Sequence, residues 1–449
     1  MADPQPHHQH NSRSQPTMKF LLFLILLAWP TDGFLFKAKK KIVVAKGLAK
    51  LTGAAVSTAA LAYWLQRQSQ SSTIYTPDVD GLQGQTILIT GGTTGLGLET
   101  AKRLSIGNPD RIIITARSGV KGETALADIQ SYMKDNNVSE NVSLSYKVLD
   151  LDDLQGVQAA VASWTDVESI SCLVNNAGVM AVPKRELTID GFERQMQSNH
   201  LGHFVLTALL APKLTKDARI VNVSSEAHLI ARFSGMDFDY CWTGEPGYGA
   251  WRSYGQSKLA NILFSQELQR RADESGLDWK VSTLHPGAVS TDLARNLLGL
   301  ENWERLKNAS GGVSILASSV QQALNLLLKT PEQGASTSVF LAAGATPDEP
   351  RGRYYVDCQP RTVNDFARDA TSAKRLWDES EVKSGVAFTL MSAKAAMSEN
   401  AVVAEPGDAT KAADKVESVD QEAETSDVDD ISEDISVEDD IPEEREDEL

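Results

Sequence analysis

The chain has 449 residues, 42% of them hydrophobic, and a formal net charge of −17, enough for one large domain or two medium ones. The charge is local: residues 405–449 carry 20 acidic and 3 basic side chains, so the rest of the chain is neutral. A remainder with no net positive charge beside an acidic tail speaks against a nucleic-acid partner, since the tail repels phosphate. Three cysteines without C-x-x-C spacing speak against a disulfide framework or a zinc site.

The first 17 residues are polar, and their His7, His8 and His10 lie in a leader too loose to build a metal site. Met18-Lys19 then precedes Phe20–Trp29, an apolar run too short for a membrane span and suited to a signal-peptide core. Between Asp32 and Asp78 there is no acidic residue, whereas Lys37, Lys39, Lys40, Lys41, Lys46, Lys50 and Arg67 are basic. Gly47–Leu65 within it reads as an amphipathic surface helix, a weak span or part of a transit peptide. The terminal Glu446-Asp447-Glu448-Leu449 resembles an endoplasmic-reticulum retrieval signal. We expect delivery to the endomembrane system, the endoplasmic reticulum in particular, with membrane association through the N-terminal segment. A signal core followed by Gly33-Phe34 and a basic stretch also resembles bipartite plastid presequences, which keeps the plastid as the alternative.

The body begins near residue 82. Apolar runs fall at Thr86–Thr90, Arg111–Ala116, Leu144–Leu149, Ile170–Val174, Ala218–Val223 and Lys280–Leu284, with helix-period segments such as Leu98–Leu104, Gly191–Leu210 and Tyr254–Arg271 between them. Such alternation predicts an α/β fold: a single doubly wound, Rossmann-type parallel sheet with helices on both faces. The ligand crevice of such a sheet lies beyond the carboxyl ends of its strands. After Ala373–Trp377 the composition turns to Ala, Ser, Glu and Asp. The expected organisation is a targeting segment over 1–81, one domain over 82–384, and an acidic disordered tail over 385–449.

The first strand runs into Thr90-Gly91-Gly92-Thr93-Thr94-Gly95-Leu96-Gly97. A glycine turn opening a helix suits a pyrophosphate: amides donate to it, the helix dipole favours its charge, and glycines let the backbone approach. The second strand ends at Arg117-Ser118, where a free ribose 2′-hydroxyl calls for an acid and a 2′-phosphate for an arginine. Arg117, with Ser118 and Lys121 near it, therefore favours NADP(H) over NAD(H). Asp150, after the third strand, sits where a carboxylate accepts from an adenine amino group. Asn175-Asn176-Ala177-Gly178, after the fourth, lets the backbone lie close to the first turn.

Tyr254 and Lys258 are spaced to share one helix face. A free phenol has a pKa of roughly 10, and an ammonium within about 4–6 Å favours its ionised form. Ser224 and Ser225 end the fifth strand, and either hydroxyl reaches the sheet's carboxyl edge. Asn199, between strands four and five, is placed to hold a water that links Lys258 to solvent. His200 and His203 beside it lack a third ligand and are not read as a metal site. Phe233, Met236, Phe238, Tyr240, Trp242 and Trp251 lie between serine and tyrosine, where they either line an apolar pocket or simply pack.

This ordered set resembles the classical short-chain dehydrogenase/reductase superfamily, and more closely its retinol-dehydrogenase-like branch. The likeness rests on Thr90–Gly97, Asn175–Gly178, Asn199–Phe204, Arg219–His228, Tyr254–Asn261, His285-Pro286-Gly287, Gly352–Cys358 and the Ala373–Trp377 segment, and covers about residues 82–384. It implies hydride transfer between nicotinamide and a lipophilic carbonyl compound or alcohol, with retinoids one candidate. Asn199, Ser225, Tyr254 and Lys258 would be the catalytic set, Ser225 being chosen over Ser224 by the family pattern. Thr90, Gly91, Gly95, Leu96, Gly97, Arg117, Asp150, Asn176, Ala177, Gly178, Tyr254, Lys258, Pro286, Gly287 and Thr291 would hold the cofactor. A homodimer is compatible with the likeness. Two alternatives stand beside it: a protochlorophyllide-reductase-like enzyme if the protein is plastidial, and a non-catalytic dinucleotide-binding adaptor that recruits partners through its tail.

Overall fold

A computed structural model describes residues 74–289, 329–344 and 351–390. The N-terminal segments, Thr291 and the acidic tail lie outside the described residues. Eight strands form one sheet in the order β3-β2-β1-β4-β5-β6-β7-β8. They are β1 Thr86–Ile89, β2 Arg111–Ala116, β3 Ser143–Val148, β4 Ile170–Asn175, β5 Leu214–Val223, β6 Lys280–His285, β7 Arg353–Val356 and β8 Gln359–Arg361. All neighbours are parallel except β7 and β8, a short antiparallel edge. The helices used below are α1 Gly95–Ser105, α2 Gly119–Asp135, α3 Leu154–Ser163, α4 Gly202–Leu210, α5 Ala250–Glu274, α6 Pro331–Ala342 and α7 Ala370–Ser384.

Both faces of the sheet are buried, and side chains alternate between two cores, as strand geometry requires. In β1, Leu88 joins the core that holds α3, α4, α5 and α7, while Ile87 and Ile89 join the one that holds α1, α2 and α6. Cys172 lies in the second core, fully buried. Six expected strands are present, with β5 starting earlier than the apolar run because Leu214 pairs with Ile170 ahead of a register shift. The antiparallel β8 gave no such signal: it is three exposed residues, Gln-Pro-Arg.

The segment expected to be one helix over Gly191–Leu210 is broken. Gly191, at φ +83°, closes a turn, a short helical turn covers Arg194–Met196, a π-helix covers Gln197–Leu201, and α4 follows. The π-helix inserts an extra residue into the ladder at Asn199; such bulges recur at functional sites. Beyond α7, Phe388 is buried and stacks on Trp377 with ring centroids 4.7 Å apart. Tyr75 and Thr76 at the other end are held by the guanidinium of Arg103, and Tyr75 packs edge-on against Phe340. Among the described residues no helix is long and apolar enough to cross a membrane.

Candidate active site

The strand order reverses between β1 and β4, and the crevice at that switch point is where the predicted site residues gather. The glycine turn leaves β1 and is tied to its neighbours on both sides. Gly91 donates to Thr115 Oγ1 at 3.1 Å, and Asn176 Nδ2 donates to the Thr90 carbonyl at 2.8 Å. Thr90 Oγ1, fully buried, accepts from the amides of Asn176 and Ala177 at 2.9 and 3.0 Å. These bonds bring the Asn175–Gly178 turn against the first one. A Cβ on Gly97 would strike the Gly91 carbonyl oxygen and the Asn176 side chain. Gly91 and Gly95 have φ of +64° and +56°, values glycine adopts without steric cost.

The start of α1 fits a dinucleotide's diphosphate. Its N-cap, Thr94, makes no side-chain cap bond, and its first turn holds no acid. The leading amides therefore face the crevice with their partial positive charge uncompensated. The start of α2 has the same character: Ser118 makes no cap bond and no acid occupies the first turn. Arg117 stands exposed immediately before it, at the end of β2. Asp150, also exposed, lies two residues past β3 and accepts from the Asp152 amide at 3.1 Å.

Tyr254 and Lys258 lie on α5, with Lys258 Nζ 5.7 Å from the centre of the Tyr254 ring. Lys258 is buried, its Nζ donates to the Val223 carbonyl at 3.0 Å, and burial pulls its pKa down to about 8. Asn199 reaches α5 from the π-helix: Nδ2 donates to Ser257 Oγ at 2.8 Å and to the Val179 carbonyl at 3.0 Å, and Oδ1 accepts from the Val179 amide at 2.8 Å. Both Nδ2 protons are thus committed to protein, and only Oδ1 keeps a lone pair for a water. A Cβ placed on Gly178 would lie 2.7 Å from Asn199 Oδ1 and 3.6 Å from Lys258 Nζ, so that glycine leaves the space between them open.

The two serines differ. Ser224 is buried and donates to the Lys258 carbonyl at 2.7 Å, a brace for α5. Ser225 is half-buried and caps the following 3₁₀ turn, accepting from Ala227 at 3.2 Å. Pro286 and Gly287 follow β6, and Gly287, at φ +91°, lies against the buried Lys329, whose Nζ would be 2.8 Å from a Cβ there. Lys329 pairs with Asp357. That pair and Ser257 carry no role in the sequence motifs, and His203 enters there only as a rejected metal ligand. Lys329 and Asp357 are far apart in sequence and share no motif, whereas Ser257 and His203 were visible as neighbours of Lys258 and Asn199.

Much of the aromatic loop packs rather than lining a cleft. Met236, Tyr240 and Trp242 are buried; Tyr240 OH meets Ser253 Oγ at 2.8 Å, and Trp242 Nε1 donates to Glu379 at 2.6 Å. Phe238 lies under the Arg375 guanidinium. Trp251 differs: half-buried, it meets the Tyr254 ring edge-on at 6.0 Å. His200 Nε2 lies 3.0 Å from Ser380 Oγ and the ring packs against Phe264, and His203 contacts Thr90.

Comparison with known proteins agrees with this arrangement. Residues 85–237 match the family model described as short chain dehydrogenase. Human retinol dehydrogenase 11 is 37% identical over 317 residues, which cover 70% of this chain and 90% of that protein. The chloroplastic short-chain dehydrogenase TIC 32 A of Brassica napus is 34% identical, covering 65% of this chain and 86% of the relative. An uncharacterized protein from Mycobacterium paratuberculosis superposes with a TM-score of 0.52 at 31% identity, covering 71% of this chain and all of that one. The chain belongs to the short-chain dehydrogenase family of NAD(P)(H)-binding oxidoreductases, with a retinol-dehydrogenase-like sequence.

Proposed function

We propose that the protein is an NADP(H)-dependent oxidoreductase that interconverts a lipophilic carbonyl compound and its alcohol. The observation that carries this reading is the meeting of Tyr254, Lys258 and Asn199 beside a glycine turn whose helix start is uncapped. Arg117, at the end of β2 and beside a second uncapped helix start, supports the 2′-phosphorylated cofactor. The resemblance to retinol dehydrogenases and the indole of Trp251 beside Tyr254 support an apolar substrate.

NADP(H), when bound, supplies or accepts the hydride. The chain's residues do the rest. Amides of the glycine turn and of α1 hold the diphosphate, and Arg117 with Ser118 and Lys121 holds the 2′-phosphate. Gly178, Pro286 and Gly287 keep backbone close to the nicotinamide end, where Thr291 also belongs by family likeness. The hydroxyls of Ser225 and Tyr254 hold the substrate oxygen. In reduction Tyr254 gives its proton to that oxygen, and in oxidation it takes one. The Lys258 ammonium stabilises the phenolate form and holds the cofactor ribose. Asn199 keeps its remaining Oδ1 lone pair for a water that returns the proton.

The direct test is oxidation of NADPH by the full-length protein with a panel of lipophilic aldehydes and ketones, retinal included, and NADH in parallel. Turnover with NADPH at least ~10-fold more efficient than with NADH is expected. A clear NADH preference overturns the reading of Arg117, and no turnover with either cofactor on any carbonyl overturns the proposed function. For location, the presequence and the terminal D-E-L support the endomembrane system, while likeness to a chloroplastic relative supports the plastid as alternative.

A further inference from the structure

His203 is a buried titratable group beside the site for which the proposed chemistry has no use. It lies four residues after Asn199, on α4, and is 2% exposed. Its ring has two contacts. Nδ1 lies 3.1 Å from the main-chain carbonyl of Asn199, and Nε2 lies 2.8 Å from Thr90 Oγ1. A carbonyl only accepts, so the proton sits on Nδ1. Burial pulls the imidazole down to about 4, so at pH 7 it is neutral and Nε2 is an acceptor. Thr90 Oγ1 already accepts from the amides of Asn176 and Ala177, which leaves its own hydrogen to donate. The Val174 carbonyl at 3.4 Å is a poor taker beside Nε2 at 2.8 Å. Every bond in the chain thereby acquires one direction.

The path does not stop at Asn199. Its side chain donates to Ser257 Oγ, and Ser257 donates to the Tyr254 carbonyl at 2.9 Å. We infer that His203 is a positioning residue that ties the glycine turn, through Thr90, to Asn199 and so to the Tyr254–Lys258 turn of α5. Resting on the function proposed above, the link has a consequence: whatever orders the glycine turn also orders the acid–base residues. His203 touches neither cofactor nor substrate. A contiguous chain of buried groups whose bond directions are fixed is sensitive to loss of any link, because breaking one leaves buried polar atoms with fewer partners.

Three measurements test it. Selective ¹⁵N labelling of histidine in the full-length protein reads the tautomer at pH 7, with His203→Phe identifying the signal. Nδ1 bearing the proton and Nε2 bare is expected; the opposite tautomer overturns the link, whatever the protein catalyses. A double-mutant cycle on NADPH dissociation constant and kcat then compares Thr90→Val, His203→Phe and both together. Each single change is expected to lower kcat by about tenfold and weaken NADPH binding, and the pair to do little more than either. Strictly multiplicative effects overturn the coupling. His203→Gln, whose Oε1 can take the place of Nε2, is expected to recover NADPH affinity toward the unsubstituted value but not the whole of kcat. A structural role alone would instead move kcat in step with melting temperature across the variants, and that result overturns the proposal. If the unsubstituted protein binds no dinucleotide, the proposed function falls, while the tautomer and the same cycle run on melting temperature still decide the link.

Discussion

Lys258 carries a pH dependence whose sign follows from its burial. Its folded pKa, about 8, lies below the roughly 10.4 of an unfolded lysine. The fold therefore favours the neutral amine, and this group's contribution to stability rises between pH 8 and 10.4 and is at its least favourable below 8. An anionic dinucleotide favours the ammonium and raises that pKa. Cofactor binding should then take up a proton above pH 8, and affinity should fall as pH rises through that value. Calorimetry in buffers of different ionisation enthalpy checks this, and in Lys258→Met the proton uptake should vanish. Arg117 stands exposed with no acid beside it in the first turn of α2. Arg117→Ala is expected to weaken NADPH binding about tenfold and to leave NADH unchanged; equal loss of both cofactors would remove the arginine from the 2′-phosphate site. Residue types and spacing put Tyr254 and Lys258 on one helix face, where the structure has them. The sequence did not show that both Asn199 Nδ2 protons are spent on Ser257 and Val179, because that depends on a π-helix no periodicity announces.

The elements were legible where one physical constraint acts along the chain. Continuous apolar runs between helix-period segments gave the parallel strands, because a sheet buried on both faces needs apolar side chains at every position. The signal failed where pairing is peripheral, as in β8, and where a helix changes pitch, as around Asn199. It failed differently in the aromatic loop, since an apolar residue looks the same in sequence whether it lines a pocket or fills a core. The glycine turn offers an element-level prediction. Gly97→Ala forces a methyl group against the Gly91 carbonyl and the Asn176 side chain, so the turn must open. Dissociation constants for NADPH should rise at least tenfold while circular dichroism stays native; unchanged affinity would mean that the turn does not seat the diphosphate. Phe388 makes a second one. It is sandwiched against Trp377 and Phe204 just past α7. Phe388→Ala should cost about 3–5 kcal/mol, read as a shifted denaturation midpoint with an unchanged slope.

At the scale of the whole molecule, the net negative charge is concentrated on residues 405–449, while residues 1–404 balance to zero. An enzyme keeps its turnover without such a tail, whereas an adaptor would lose its partner. Deleting residues 405–449 should leave NADPH turnover within about twofold of the full chain, a change of under 0.5 kcal/mol in barrier. Compartment has its own marker on the surface: Asn137-Val138-Ser139 and Asn141-Val142-Ser143 are N-x-S sequences with exposed asparagines, glycan acceptors if the body is luminal. The most direct measurement concerns the acid–base pair itself. Single-turnover reduction of a lipophilic aldehyde by NADPH should be compared in the unsubstituted protein and in Tyr254→Phe, with cofactor binding followed by fluorescence in both. A rate at least ~100-fold lower in the variant is expected at nearly unchanged NADPH affinity; a rate that survives the loss of the phenol hydroxyl would rule out Tyr254 as the proton donor.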